Sequence, residues 1–188
     1  MNLENLNEQF KNFNITEWDN LPDIELYMDQ VIAYLNKLLK PLLRSEDSVL
    51  ITPSMINNYV KNGHIAPPEK KKYKKEQLAA LYMICSIKQN LMITDASILL
   101  ETLIASDSYS NVYNQFVAMQ QSSFSDTSEK IEASLKDCSE DAITDAALAR
   151  LALLLTLQST SCRIAAERII SYLSEKRTDS SKQQNKKE

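Results

Sequence analysis

A chain of 188 residues holds one glycine, Gly63, and keeps all five of its prolines within the first 68 positions. Phosphate-cradling loops, nucleophile elbows and turn-dense β sandwiches or barrels each need several glycines, so this composition excludes them and leaves helices with polar connections. A net charge of −4 argues against indiscriminate nucleic-acid binding, and three separate cysteines, Cys85, Cys138 and Cys162, without CxxC spacing are expected as buried reduced thiols rather than disulfides or metal ligands.

In chain order, Leu3, Leu6, Phe10 and Phe13 recur at helical spacing and predict a short amphipathic helix. A polar link with Trp18 and Pro22 follows. Ile24, Tyr27, Met28, Val31, Ile32, Leu35, Leu38 and Leu39 then form one apolar stripe, with Pro41 just beyond it, and predict a helix over Asp23–Lys40. After a polar gap at Arg44–Ser48, Thr52 offers an N-cap, Pro53 fits the first helical position and Gly63 fits the residue past the end. This short helix buries Met55, Ile56, Tyr59 and Val60 and turns Ser54, Asn57, Asn58 and Lys61 outward. The segment Ala66–Lys75, APPEKKKYKK, is basic and starts with a Pro-Pro pair that cannot be helical.

Glu76–Asn90 reads as helix again, with Leu78, Leu81, Tyr82 and Cys85 on its inner face. Thr94 or Asp95 is expected to cap a helix reaching about Leu103. Tyr109, Val112, Tyr113, Phe116 and Val117 predict another that begins near Ser108. Ser122–Ser128 reads as a serine-rich connection, and Ile131 with Leu135 as a short helix. Asp141–Gln158 reads as a long helix whose leucines and alanines cover more than one face, so it is either central in its own domain or shared with a second chain. Ser159–Ser161 leaves open whether that helix ends or continues through Ile164, Ala165, Ile169, Tyr172 and Leu173. The polar tail 177–188 is expected to be disordered.

Charge is unevenly placed. Residues 61–75 hold six lysines against Glu69 alone, a local +5 that leaves −9 for the rest of the chain. By composition alone a lysine run reads first as a solvated loop and second as a local phosphate contact. Order along the chain favours the second reading. A helix, a short capped helix with a polar outer face, a basic turn and another helix are the layout of a winged helix-turn-helix. In that layout Asn and Ser side chains read base edges while the wing holds the backbone.

The stretch ITPSMINNYVKNGHI followed by KKKYKKEQLAALYMI resembles the DNA-binding module of MerR-like regulators. Tyr59, Gly63 and Ile65 match the end of its recognition helix, and Tyr73, Glu76, Leu78 and Leu81 match its wing and the helix after it. Asn57 stands where that pattern carries arginine. With LPDIELYMDQVIAYL upstream, residues 20–105 are closer still to the family called domain of unknown function 1836. The resemblance implies a MerR-like fold and a role in transcription control. Ser54, Asn57, Asn58 and Lys61 would then face bases or phosphates, Lys70, Lys71, Lys72, Lys74 and Lys75 the backbone, and Thr52, Tyr59, Gly63 and Tyr73 would hold the module together.

The other candidates are thin. His64 is the only histidine, so neither a zinc site nor a Ser-His-Asp or Cys-His unit assembles around it. Carboxylate pairs at Glu46/Asp47 and Glu140/Asp141 read as helix-start charges, and Tyr109, Tyr113 and Phe116 as core. The apolar run Ala146–Leu157 is interrupted by Arg150 and is too short to span a bilayer, and the polar N-terminus does not read as a secretory signal. The expectation is therefore an all-α cytoplasmic protein that is not an enzyme and has no cofactor or metal. A short helix and link over 1–19, the helix-turn-helix module over 20–105, and a C-terminal helical region over 106–176 make up the chain. Its expected partners are double-stranded DNA and a second copy bound through residues 142–173. The alternative is a protein-interaction module that keeps the fold without binding DNA.

Overall fold

The computed structural model describes residues 3–43, 50–135 and 144–184. Along them run α1 (Leu3–Lys11), a 3-10 turn at Trp18–Asn20, β1 (Leu26–Tyr27), α2 (Met28–Leu39), a second 3-10 turn at Lys40–Leu42 and α3 (Pro53–Lys61). Then come β2 (Lys72–Tyr73), α4 (Lys75–Ile87), α5 (Ile93–Ile104), α6 (Tyr109–Leu135) and α7 (Asp145–Gln184). The protein is mostly helical, as the scarcity of glycine requires. Its one small sheet among the described residues is the antiparallel pairing of β1 with β2, Leu26 opposite Tyr73 and Tyr27 opposite Lys72.

That pairing corrects the expected start of the second helix. Leu26 and Tyr27 carry the apolar spacing of a helix but are held extended against β2, so the helix begins at Met28 rather than Asp23. The Tyr27 amide then donates to the Gln30 side chain at 2.9 Å and closes the first turn. Val31, Leu35 and Leu39 form the buried face of α2.

α3 is defined at both ends by local chemistry. Thr52 Oγ1 accepts the Met55 amide, and Pro53 occupies the first turn, where no amide is needed. At the other end Gly63 has φ +76°, its amide donates to Val60 O, and the His64 amide donates to Tyr59 O at 2.8 Å. Those two bonds form a Schellman cap. Nothing lies within 4 Å of where a Gly63 Cβ would stand, so a side chain there meets backbone strain and no clash. Gly63→Ala is expected to cost about 1–2 kcal/mol in a urea titration, and a loss below about 0.3 kcal/mol would contradict the left-handed assignment.

α4 is the central helix. Every residue from Gln77 to Ser86 is buried, including Ala79, Ala80, Met83 and Ile84, which the sequence reading left off its inner face. Small residues on the far side admit close packing, so neighbours cover all sides rather than one stripe. α5 begins at Ile93 with Met92 at its cap, and neither Thr94 nor Asp95 caps it. Tyr82 meets Tyr113 and Phe116 edge to face, and Tyr113 also meets Trp18. The Tyr113 hydroxyl donates to Thr16 O at 2.9 Å, tying α6 to the link after α1.

The serine-rich run at 122–128 is no connection; α6 passes through it unbroken. Helical serine and threonine can return their hydroxyls to the preceding turn, as Thr127 does to Ser123 O, and tertiary contacts do the rest. Phe124 stacks on Phe13 with ring centres 3.6 Å apart, and the buried Ser128 donates to Asn7 of α1. α7 is likewise one helix through Ser159–Ser161. It continues over 177–184, where the polar composition led to an expectation of disorder, because Lys, Gln and Ser in a polar run leave a helix already formed free to continue. Arg44–Ser48, Cys138, Glu140, Asp141, Ala142, Ile143 and residues 185–188 lie outside the described residues.

One burial expectation fails, and one of two open alternatives is set aside. Cys162 is exposed while Cys85 is buried, because Cys162 faces a cleft rather than the core. Leu153, Leu154 and Leu157 remain exposed, so the leucine-rich helix is not central in its own domain.

Candidate nucleic-acid interface

The geometry of the basic segment starts from α4. Gln77, the third residue of that helix, is buried, and each end of its amide is used. Its Nε2 donates to Ala66 O at 2.8 Å and Pro67 O at 2.9 Å, while its Oε1 accepts the Lys74 amide at 2.7 Å. One side chain thus fixes both ends of the segment from Ala66 to Lys74. Gln77 was missed in the sequence, although a Gln three residues into a helix is the second half of a capping box and marks such a role.

Between those ends the chain turns back on itself. The Glu69 and Lys72 amides donate to each other's carbonyls at 3.0 and 2.8 Å, closing a two-residue hairpin. Its two central residues, Lys70 and Lys71, have φ +48° and +66°. Such a turn matches the twist of paired strands but favours Asn-Gly, so lysine at both positions is backbone strain. Among the described residues the positive-φ positions are therefore three, Gly63, Lys70 and Lys71.

The five lysines of this segment divide by partner. Lys74 bonds Glu69 at 2.7 Å, which holds its ammonium pKa above the usual value, mainly through that hydrogen bond. Lys75 meets Asp23 at 3.1 Å, lies 5.3 Å from the centre of the Trp18 ring and is only 14% exposed. Lys72 lies 5.4 Å from the centre of the Tyr27 ring. Lys70 and Lys71, at the tip, have no ion pair among the described residues. The same is true of Lys61 at the end of α3.

On α3, Ser54, Asn57, Asn58 and Lys61 are exposed and Ile56 and Tyr59 are buried. Asn58 accepts a hydrogen bond from Asn62 at 3.0 Å, and Asn57 is exposed beside it. Tyr59, Ile65 and Tyr73 belong to the same buried core as α4, so the outward face of α3 and the hairpin stand on one core. His64 Nδ1 lies 2.7 Å from Ser97 Oγ and links the end of α3 to α5. Among the described residues no group of His, Cys, Asp and Glu could hold a metal ion. No helix among them is long and apolar enough to cross a membrane.

A family model described as "Domain of unknown function (DUF1836)" matches residues 16–116. The chain belongs to that family. The DUF1836 stretch takes in the Trp18 turn, α2, α3, the hairpin, α4, α5 and the first third of α6, so both halves of the candidate interface lie inside it. No curated protein and no solved structure matches the chain at a significant level.

Proposed function

We propose that this DUF1836 protein is a non-enzymatic, cytoplasmic DNA-binding regulator of transcription, built on a MerR-like winged helix-turn-helix near residues 20–105. In this reading α3 enters the major groove, with Ser54, Asn57, Asn58 and Lys61 toward bases and phosphates. The hairpin is the wing, and Lys70 and Lys71 are its principal phosphate contacts, with Lys72, Lys74 and Lys75 behind them. The observation that carries the reading is the strained tip. Two lysines occupy backbone positions that favour Asn and Gly, and both are without an ion pair among the described residues. A turn serving only to connect strands gains nothing from that arrangement, whereas a phosphate-binding wing does.

The test is a titration of genomic fragments at rising salt. The logarithm of affinity should fall against the logarithm of salt with a slope near −0.9 per phosphate contacted. A folded protein that binds no fragment at low salt would point instead to an interaction module that keeps the fold without DNA.

The same proposal includes a homodimer through residues 142–173. Support comes from α7, where Leu153, Leu154, Leu157, Ile164, Ile169 and Tyr172 are between 39% and 63% exposed. Large apolar side chains left exposed along one helix are the kind of surface that a partner covers. Paired recognition helices also suit a palindromic site. Sedimentation velocity should show a dimer, and Leu153→Asp with Leu157→Asp should shift it to monomer without loss of helical signal. A wild-type monomer at tens of micromolar would remove the dimer.

A further inference from the structure

A cleft of about 700 Å³ opens between the helices, and none of its lining residues comes from α3 or the hairpin. Its volume is that of a small-molecule site. Phe10 of α1, Ile87 at the end of α4, Leu91, Leu99 of α5 and Leu155 of α7 make its apolar walls. Lys130 of α6 and Arg163 of α7 also line it, and no acidic side chain does. Arg163 is already paired with Glu167 at 2.5 Å. Lys130 has no ion pair among the described residues, so an unmatched cation stands at the edge of an apolar space.

We propose that this cleft binds a small amphipathic carboxylate, its anionic head on Lys130 and its hydrocarbon body against Phe10, Ile87, Leu91 and Leu99. The charge decides the class of ligand. A cationic amphiphile would meet two cations and no acid, and a neutral one would leave Lys130 unmatched. The walls supply affinity by releasing water from apolar surface, while the ammonium supplies orientation. A bound ligand would touch α1, α4, α5, α6 and α7 at once and so fix how α7 is seated.

Cys162 lines the cleft and is exposed, which provides a reporter. Cys85 stays silent because burial pushes its thiol up to about 12. The experiment uses the full chain with Cys138→Ser and follows iodoacetamide labelling of Cys162 by intact mass as decanoate, decanol or decyltrimethylammonium is added. Decanoate is expected to slow labelling severalfold and saturably, decanol only at higher concentration, and the quaternary amine not at all. Lys130→Gln, an exposed substitution, should raise the decanoate midpoint about tenfold and leave that of decanol unchanged. Equal protection by all three amphiphiles, no protection by decanoate, or an unmoved decanoate midpoint in Lys130→Gln would overturn the proposal. None of these readouts depends on DNA binding, so the failure of either reading leaves the other standing.

Discussion

Replacing Lys70 with asparagine and Lys71 with glycine is expected to stabilise the hairpin while weakening DNA binding roughly 60-fold at about 0.1 M salt. The two effects have opposite signs for a physical reason. Both residues sit at positive φ, +48° and +66°, where a side chain beyond Asn or Gly is strained. Asn-Gly suits that turn, so the pair should gain about 1 kcal/mol of stability. Each lost phosphate contact removes about 0.9 from the salt slope, or about eightfold in affinity at 0.1 M, so the slope should become shallower by about 1.8. Fluorescence anisotropy across a salt series reads both numbers. Misfolding cannot imitate this outcome, since the variant should melt above the parent. Lys74→Gln and Lys75→Gln should cost less, because Glu69 and Asp23 already hold those charges. An unchanged slope in the stabilised Lys70→Asn, Lys71→Gly protein would remove the wing from the proposed mechanism.

Alkali is expected to unfold the protein between about pH 10 and 12. Tyr82, Tyr113 and Cys85 are each fully buried. Burial is the main cause in all three of a raised pKa, taking the Tyr82 hydroxyl and the Cys85 thiol to about 12 and Tyr113 higher still. In the unfolded chain the thiol ionises near 9 and the phenols near 10, so above those values the unfolded state holds fewer protons than the native one. Stability is therefore complete below about pH 8.5 and falls as pH rises toward the folded values. Each group steepens the fall by up to about 1.4 kcal/mol per pH unit, which together can consume a typical stability of about 5–15 kcal/mol within a few units. Urea midpoints followed by circular dichroism at intervals from pH 7 to 11.5 measure the slope. Tyr82→Phe and Tyr113→Phe should each make it shallower. Tyr113→Phe should also cost about 1 kcal/mol at neutral pH, since Thr16 O loses its donor. A stability that stays level from pH 9 to 11 would show that these groups are reached by water.

The candidate interface was more legible in the sequence than the layer of helices behind it. Thr52, Pro53 and Gly63 mark the ends of α3 because caps are chemistry between residues at most a few positions apart. The outward placement of Ser54, Asn57, Asn58 and Lys61 follows from the same short helix and its 3.6-residue period. The partners of the wing lysines were not legible. Asp23 lies 52 residues from Lys75, and nothing in either neighbourhood announces the pair. Nor was the strain at Lys70 and Lys71, since their residue type argues against the turn they adopt.

By itself the sequence determined that the chain is mostly helical, where α3 begins and ends, and which of its faces is polar. Each of these rests on glycine content, capping residues or periodicity, properties that act within one or two helical turns. Only the tertiary structure decided that α2 yields its first residues to a strand, that α6 runs through a serine run, and that α4 rather than α7 is central. It also decided that Cys162 faces a cleft and that Lys70 and Lys71 alone of the five hairpin lysines have no partner in the chain among the described residues. Those outcomes depend on which segments far apart in sequence come to share a surface. Local propensity sets what each segment can form, and burial against a distant neighbour decides which of those forms is kept.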